Sequence, residues 1–192
     1  MNFPALTICG IEELPAQRDR EVTHVLSILD PDHPEIGAFE AYPAHCRTTL
    51  RFHDIIDPEP NKIMPQSGHV NEIIRLGESL KLRTADAESG HFLVHCHKGV
   101  SRSTAAMLTL LATGNPQEDS ESLFRRLAEI RPQAWPSSLM VRLADEQLDR
   151  GGSLIAALRR HYGRQIVARP YYIDFIINIG RRAEVEMAEM VA

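Results

Sequence analysis

The stretch FLVHCHKGVSRSTAAMLTLLA, Phe92–Ala112, decides the architecture of this chain. Its opening residues, Phe92 to His95, are apolar, few and bounded by Gly90 and Gly99. That pattern predicts a central strand buried on both faces. Thr104 to Ala112 is apolar nearly all round, as a deeply buried helix is. Between them His95–Ser103, HCHKGVSRS, leaves room only for a tight loop. A strand, a tight loop and a helix N-terminus together bind anions, because unpaired N–H groups and the positive end of the helix dipole point at the ligand. Gly99 lets such a loop turn sharply and approach the ligand closely.

Working outward, Leu6–Cys9, Thr23–Leu29 and Thr48–Phe52 read as further short strands. Val70–Leu82 reads as a helix, with Val70, Ile73, Ile74, Gly77 and Leu80 on one face. Asn115 is expected to cap a helix that has Pro116 first and Glu118 third and runs to Ile130. Ser138–Arg150 and Leu154–Tyr162 read as helices, each followed by a glycine, and Pro170 opens a last one running toward Met190. Strands alternating with helices predict an α/β fold, a central, mostly parallel sheet flanked by helices. The second half is nearly all helix. Gly151-Gly152 marks a break, so residues 1–150 are expected to form the functional domain and 151–192 a helical extension packed on it.

The 192 residues are 43% hydrophobic and 24% charged, which suits one globular domain with a sizeable core. No run of eighteen apolar residues is present, so no membrane span is expected. Met1–Gly10 lacks the basic start and cleavage site of a signal peptide, and the cytoplasm is the expected location. A net charge of −5 with no basic run argues against nucleic acid or an anionic membrane as partner. The three cysteines, Cys9, Cys46 and Cys96, suit a reducing compartment without a disulfide framework. Of 21 basic residues only Lys62, Lys81 and Lys98 are lysines, a bias that suggests GC-rich codons and a bacterial source.

The loop has a chemical reading. N–H groups that favour an anion also favour the thiolate of Cys96, a strong nucleophile. Arg102, six residues on, can close the loop with a planar guanidinium matched to two phosphate oxygens. Ser103 is placed to donate a hydroxyl to the sulfur and help it leave. The backbone and side chains of His97, Lys98, Gly99, Val100 and Ser101 line the remaining circumference, and His95 orients the loop from below. No cofactor and no metal are expected. His91, His95, Cys96 and His97 invite a metal reading, but neighbouring strand residues point to opposite faces.

His95–Ser103 resembles the signature His-Cys-x5-Arg-Ser/Thr of cysteine-dependent protein tyrosine phosphatases. The interior Gly99–Ser103 looks most like the dual-specificity branch, and the resemblance spans about Thr23 to Leu148. It implies a phosphatase-type fold and hydrolysis of phosphate monoesters through a phosphocysteine. Phosphotyrosine in proteins is the first expected substrate, with phosphoserine and phosphothreonine beside it. It also implies a general acid on a loop upstream of the cysteine. In RFHDIIDPEP the preferred candidate is Asp54, with Asp57 the alternative. Trp135-Pro136-Ser137 follows the nucleophile and is not read as an acid loop. Other readings of the same residues are a phosphatase for a small metabolite such as an inositol phosphate or a nucleotide, a phosphate-binding module without activity, and sulfur transfer or arsenate reduction. The last pair fit poorly with the Cys-x5-Arg spacing and with a cysteine at position 96.

The remaining candidates have plainer readings. Cys9 and Cys46 are expected as buried small hydrophobes, and His53 and His69 as ordinary loop or capping residues. The pairs Arg159-Arg160 and Arg181-Arg182 are expected on solvated helix faces. The apolar run Ile173–Ile179 is expected to pack the tail on the core.

Overall fold

The computed structural model describes residues 5–84 and 90–190. The first four residues of Met1–Gly10 and the last two of the 151–192 segment lie outside the described residues.

Four parallel strands form the sheet: β1 (Ala5–Cys9), β2 (His24–Leu29), β3 (Cys46–Arg51) and β4 (His91–His95), in the order β1-β4-β2-β3. β4, the strand that carries the loop, is interior and buried at every residue. That is why its sequence is apolar without alternation. The period of two still sorts the faces. Leu26, Ile28, Phe92 and Val94 face the main core, which also holds Ala105, Leu108, Leu127 and Trp135. Val25, Leu29 and Leu93 face a second cluster closed by Leu14, Phe39 and Tyr42. The helices α1 (Ser67–Thr84), α2 (Arg102–Gly114), α3 (Ser120–Ile130) and α4 (Ser138–Gln147) belong to the first side. The second side is covered by two 3-10 segments, Ile11–Arg20 and Gly37–Ala41, which sequence patterning did not anticipate. Their turns are too short to carry a 3.6-residue period.

α2 is buried along its whole length, as a stretch apolar nearly all round requires. The predicted face of α1 is buried at Val70, Ile73, Ile74, Gly77 and Leu80. Elsewhere the boundaries move. Asn115 does not begin a helix. Its backbone and side-chain N–H groups both donate to Leu111 O, at 3.0 and 2.9 Å, so it ends α2. α3 instead starts after Asp119, whose carboxylate accepts from Ser122 N at 3.0 Å. Gly163 does not stop a helix either: α5 runs through it, from Ser153 to Ala168. A Cβ at Gly163 would lie 1.9 Å from Glu189 O, so the missing side chain admits the end of the chain. The last predicted helix is two, α6 (Tyr172–Asn178) and α7 (Arg182–Glu186), divided at Gly180, whose φ is +82°. Cys46 is exposed rather than buried, because β3 lies at the sheet edge.

No helix among the described residues is long and apolar enough to cross a membrane. The residues after Gly152 share the main core: Leu154, Leu158, Tyr162, Tyr172 and Ile176 are buried with the sheet residues. They also grip the turn between α3 and α4 by its carbonyls. His161 Nε2 donates to Ala134 O (2.9 Å), Gln165 Nε2 to Pro132 O (3.0 Å), Tyr172 Oη to Gln133 O (2.8 Å) and Tyr162 Oη to Pro136 O. Asp145 fixes where α5 begins, accepting from Gly152 N and Leu154 N at 2.6 and 2.7 Å.

Two buried histidines make stability depend on pH. His95 Nε2 hydrogen-bonds Ser27 Oγ at 2.6 Å on the face of the sheet opposite the helices. Burial pulls the pKa values of His95 and His161 down from 6.5 to about 4. The unfolded chain therefore binds protons below about pH 6.5 that the folded chain refuses until about pH 4. The stabilisation is full above pH 6.5 and is lost as pH falls toward 4. Thermal melts should show Tm dropping between pH 7 and pH 5, and a His95→Asn/His161→Gln variant should show a distinctly shallower drop. Parallel curves for variant and wild type would remove these histidines as the cause.

Candidate active site

The carboxyl ends of all four strands meet at one edge of the sheet, where parallel α/β sheets hold their ligands. The chain leaving β2 supplies Asp30, that leaving β3 supplies Asp54 and that leaving β4 supplies Cys96, all lining one cleft of about 320 Å³. The chain leaving β1 packs beneath the loop: Ile11 N donates to His97 O at 3.1 Å.

The loop from Cys96 to Ser101 is held by its carbonyls. Lys98 O and Gly99 O accept from the Arg131 guanidinium at 3.3 and 2.9 Å. Val100 O accepts from Trp135 N (2.9 Å) and Thr104 Oγ1 (2.6 Å), and Ser101 O from Thr104 Oγ1 (2.8 Å) and Ala105 N (3.0 Å). In a trans peptide the C=O and the next N–H point in opposite directions. Anchoring the carbonyls of residues 97–101 to the scaffold therefore turns the following N–H groups toward the cleft. The N–H groups of residues 98–102 donate to no protein group among the described residues. Such a ring of donors at the start of α2 is an anion cradle. Gly99 is required twice over. Its φ is +65°, and a Cβ there would sit 2.4 Å from the carbonyl carbon of Cys9.

Cys96 lies at the floor of the cleft, with Sγ 3.1 Å from Ser103 Oγ. Arg102 is 2% exposed. Its Nη1 donates to Phe52 O (2.5 Å) and to Asp30 Oδ1 (2.6 Å). Its Nε is buried without a hydrogen-bond partner among the described residues, and the side chain lines the cleft. His97 and Lys98 reach the rim of the cleft. Burial and then the Arg102 charge lower the His97 pKa, so it is mostly neutral at pH 7. Lys98 is largely exposed and faces Glu12 at 3.4 Å. His91 stands at the opposite end of β4, bonded to Thr7 Oγ1 and Arg20 O at 2.8 Å each, away from His95 and Cys96.

Of the two upstream carboxylates, Asp54 is the one brought into the cleft with Cys96. Asp57 is exposed and does not line it. Asp54 Oδ1 accepts from Ser101 Oγ (2.7 Å) and from Arg181 Nη1 (3.1 Å). Arg181 corrects the reading of Arg181-Arg182 as a solvated pair: Arg182 is exposed, but Arg181 is 2% exposed. The run Ile173–Ile179 is likewise divided. Ile176 packs in the core, whereas Phe175 and Ile179 stay half exposed along the cleft. Sequence reasoning missed Asp30, Arg131 and Arg181. Asp30 carried a signal, being the first residue beyond a predicted strand. Arg131 and Arg181 lie on helix ends far along the chain, and nothing local marks them.

Arg131 also binds Glu13, with contacts of 3.0 and 2.8 Å, and Glu13 Oε2 accepts from Gly10 N at 2.6 Å. The guanidinium is thus fixed before it reaches the loop. Replacing it frees two carbonyls and lets their peptides rotate. Arg131→Met should weaken binding of a tetrahedral oxyanion such as tungstate about tenfold by titration calorimetry, the size of one lost charged hydrogen bond. Unchanged affinity in the folded variant would show that the loop holds its shape without this anchor.

No protein-family model matches the chain. A human protein, protein phosphatase Slingshot homolog 3, is 37% identical over 130 residues, which are 67% of this chain and 16% of that protein. The chain therefore spans about a sixth of that relative. Similar solved structures include the human tyrosine phosphatase-like serine/threonine/tyrosine-interacting protein (TM-score 0.56, 17% identity, 78% of this chain and 94% of that one). The Yvh1 phosphatase domain from Chaetomium thermophilum (0.51, 24%, 78% and 93%) and human DUSP28 (0.55, 17%, 77% and 93%) share the fold as well. With the signature intact on this fold and a phosphatase sharing its sequence over two thirds of its length, the chain belongs to the cysteine-dependent protein tyrosine phosphatase superfamily, on the dual-specificity-like side.

Proposed function

We propose that this chain hydrolyses phosphate monoesters through a phosphocysteine, with phosphotyrosine in proteins as its main substrate. The observation that carries this reading is the meeting, in one cleft, of Cys96, a ring of inward N–H groups and the Asp54 carboxyl. The phosphate oxygens take the N–H groups and the Arg102 guanidinium. Cys96 Sγ attacks phosphorus as the bond to the leaving oxygen breaks, and Asp54 gives that oxygen its proton. Water then attacks the phosphocysteine and loses a proton to Asp54. The sulfur departs as thiolate, with Ser103 Oγ donating to it.

Two features favour an aromatic phosphate over a small polyphosphorylated metabolite. Ile55, Phe175 and Ile179 give the cleft an apolar side, which suits an aryl ring. The rim lysines are already engaged, Lys62 with Glu59 at 2.6 Å and Lys98 with Glu12 at 3.4 Å. A second or third phosphate would have to displace those carboxylates. Three free cysteines, one of them exposed, suit a reducing compartment, and a cytoplasmic setting is part of the proposal.

Steady-state assays without added metal, on p-nitrophenyl phosphate and on a phosphotyrosine peptide, test the reading. Wild type should turn over both. Cys96→Ser should fall to background and Asp54→Ala should lose about 100-fold or more in kcat. A folded wild type inactive on both substrates would overturn the proposal, and an undiminished Asp54→Ala would overturn the role of Asp54.

A further inference from the structure

Among the described residues, Arg181 is the one side chain from beyond Gly152 that hydrogen-bonds the proposed acid. Its guanidinium reaches Asp54 Oδ1 (3.1 Å) and Ser101 Oγ (2.6 Å) through Nη1, and Glu184 Oε1 (2.6 Å) through Nη2. Burial opposes the Arg181 charge, but Glu184 and then Asp54 more than offset it and raise its pKa. Glu184 is fully buried and is itself fixed, accepting from Trp135 Nε1 at 2.7 Å and from Ser138 N at 2.8 Å. Trp135 also holds the phosphate loop, through its N–H to Val100 O. Loop, tryptophan, glutamate, arginine and aspartate therefore form one closed circuit.

We propose that Arg181 is a positioning residue for Asp54, and that the C-terminal helices are thereby part of the catalytic machinery. The inference rests on the phosphatase reading above. Asp54 sits between β3 and α1, in a segment without helix or strand, so its own chain gives the carboxyl little support. Both donors, Ser101 and Arg181, engage Oδ1. Oδ2 has no hydrogen-bond partner among the described residues. The anchored oxygen sets the orientation, and the free oxygen is left to carry the proton to the leaving group and to take one from water. The backbone aims Arg181 inward. The left-handed Gly180 turns the chain at the end of α6, and Arg181 N donates to Ile176 O at 3.0 Å, closing a six-residue turn.

An acid is needed only when the leaving group is a poor one, and this separates positioning from general damage. The experiment compares kcat/KM, which reports the first chemical step, for phenyl phosphate and for 2,4-dinitrophenyl phosphate, whose leaving group departs without a proton. Arg181→Met should lose about tenfold or more on phenyl phosphate and about twofold or less on the dinitrophenyl ester. Arg181→Lys should recover part of the loss. Adding Asp54→Asn to Arg181→Met should cost far less than Asp54→Asn alone, because the two act as a unit. Equal losses on both esters, or additive losses in the double variant, would overturn the proposal. If Arg181→Met does not fold by circular dichroism, Arg181→Lys and Glu184→Gln carry the same comparison and are read the same way. Wild type without Cys96-dependent turnover of either ester would instead sink the phosphatase reading itself.

Discussion

The cleft depends on the direction of five peptide groups. A loop that binds a dianion with backbone N–H groups gathers partial positive charges that repel one another, and an isolated loop would rotate its peptides to relieve this. Here rotation is blocked from behind. Every carbonyl from His97 to Ser101 is bonded to the scaffold, by Ile11, Arg131, Trp135, Thr104 or Ala105. The donors are therefore aimed by the scaffold itself, as a preorganised anion site requires. Gly99 is the point where this arrangement meets the sheet. The loop passes so close to Cys9 and Gly10 that no side chain fits.

Charge is balanced around this cradle in pairs. Arg102 is buried against Asp30, and Arg181 against Glu184 and Asp54. A buried guanidinium without a counter-charge would cost several kcal/mol. Asp30 and the Phe52 carbonyl both engage Nη1 of Arg102, so the protein itself orients the guanidinium. Below the loop, His95 is kept neutral by burial, so it supports the floor of the site without adding charge to it.

The legible part of this fold was the part encoded in short range. FLVH reads as an interior strand because both of its faces are buried, and TAAMLTLLA as a buried helix for the same reason. Cys96, Gly99, Arg102 and Ser103 stood out as candidates because a phosphate-type loop fits within nine residues, and the structure brings Cys96 and Arg102 to one cleft. Asp54 was preferred over Asp57 on the family resemblance, and of the two it is the one that lines the cleft. The 3-10 segments were not legible, having no long period. Nor was the role of Asn115, where two polar residues four apart compete to cap and Asp119 wins by accepting from Ser122. Arg131 and Arg181 were out of reach for a different reason. Each acts on groups 32 to 127 residues away, and such pairings leave no local trace.

The helices after Gly152 support the same cradle from a second direction. The turn from Arg131 to Ser137 is the outer wall of the phosphate loop, yet it contains no helix or strand of its own. Its carbonyls at Pro132, Gln133, Ala134 and Pro136 are held by Gln165, Tyr172, His161 and Tyr162. On its other side it offers Arg131 and Trp135 to the loop. A short turn built from Pro132, Gln133, Ala134, Trp135 and Pro136 has few backbone donors of its own, since the prolines supply none. It is therefore ordered by what grips its acceptors, and that grip comes from α5 and the start of α6. Removing those helices would leave the sheet and the signature in place but release the wall that aims the loop's N–H groups. Together with the Arg181 contact to Asp54, this makes the C-terminal helices a second scaffold for the cleft, beside the sheet that carries Cys96.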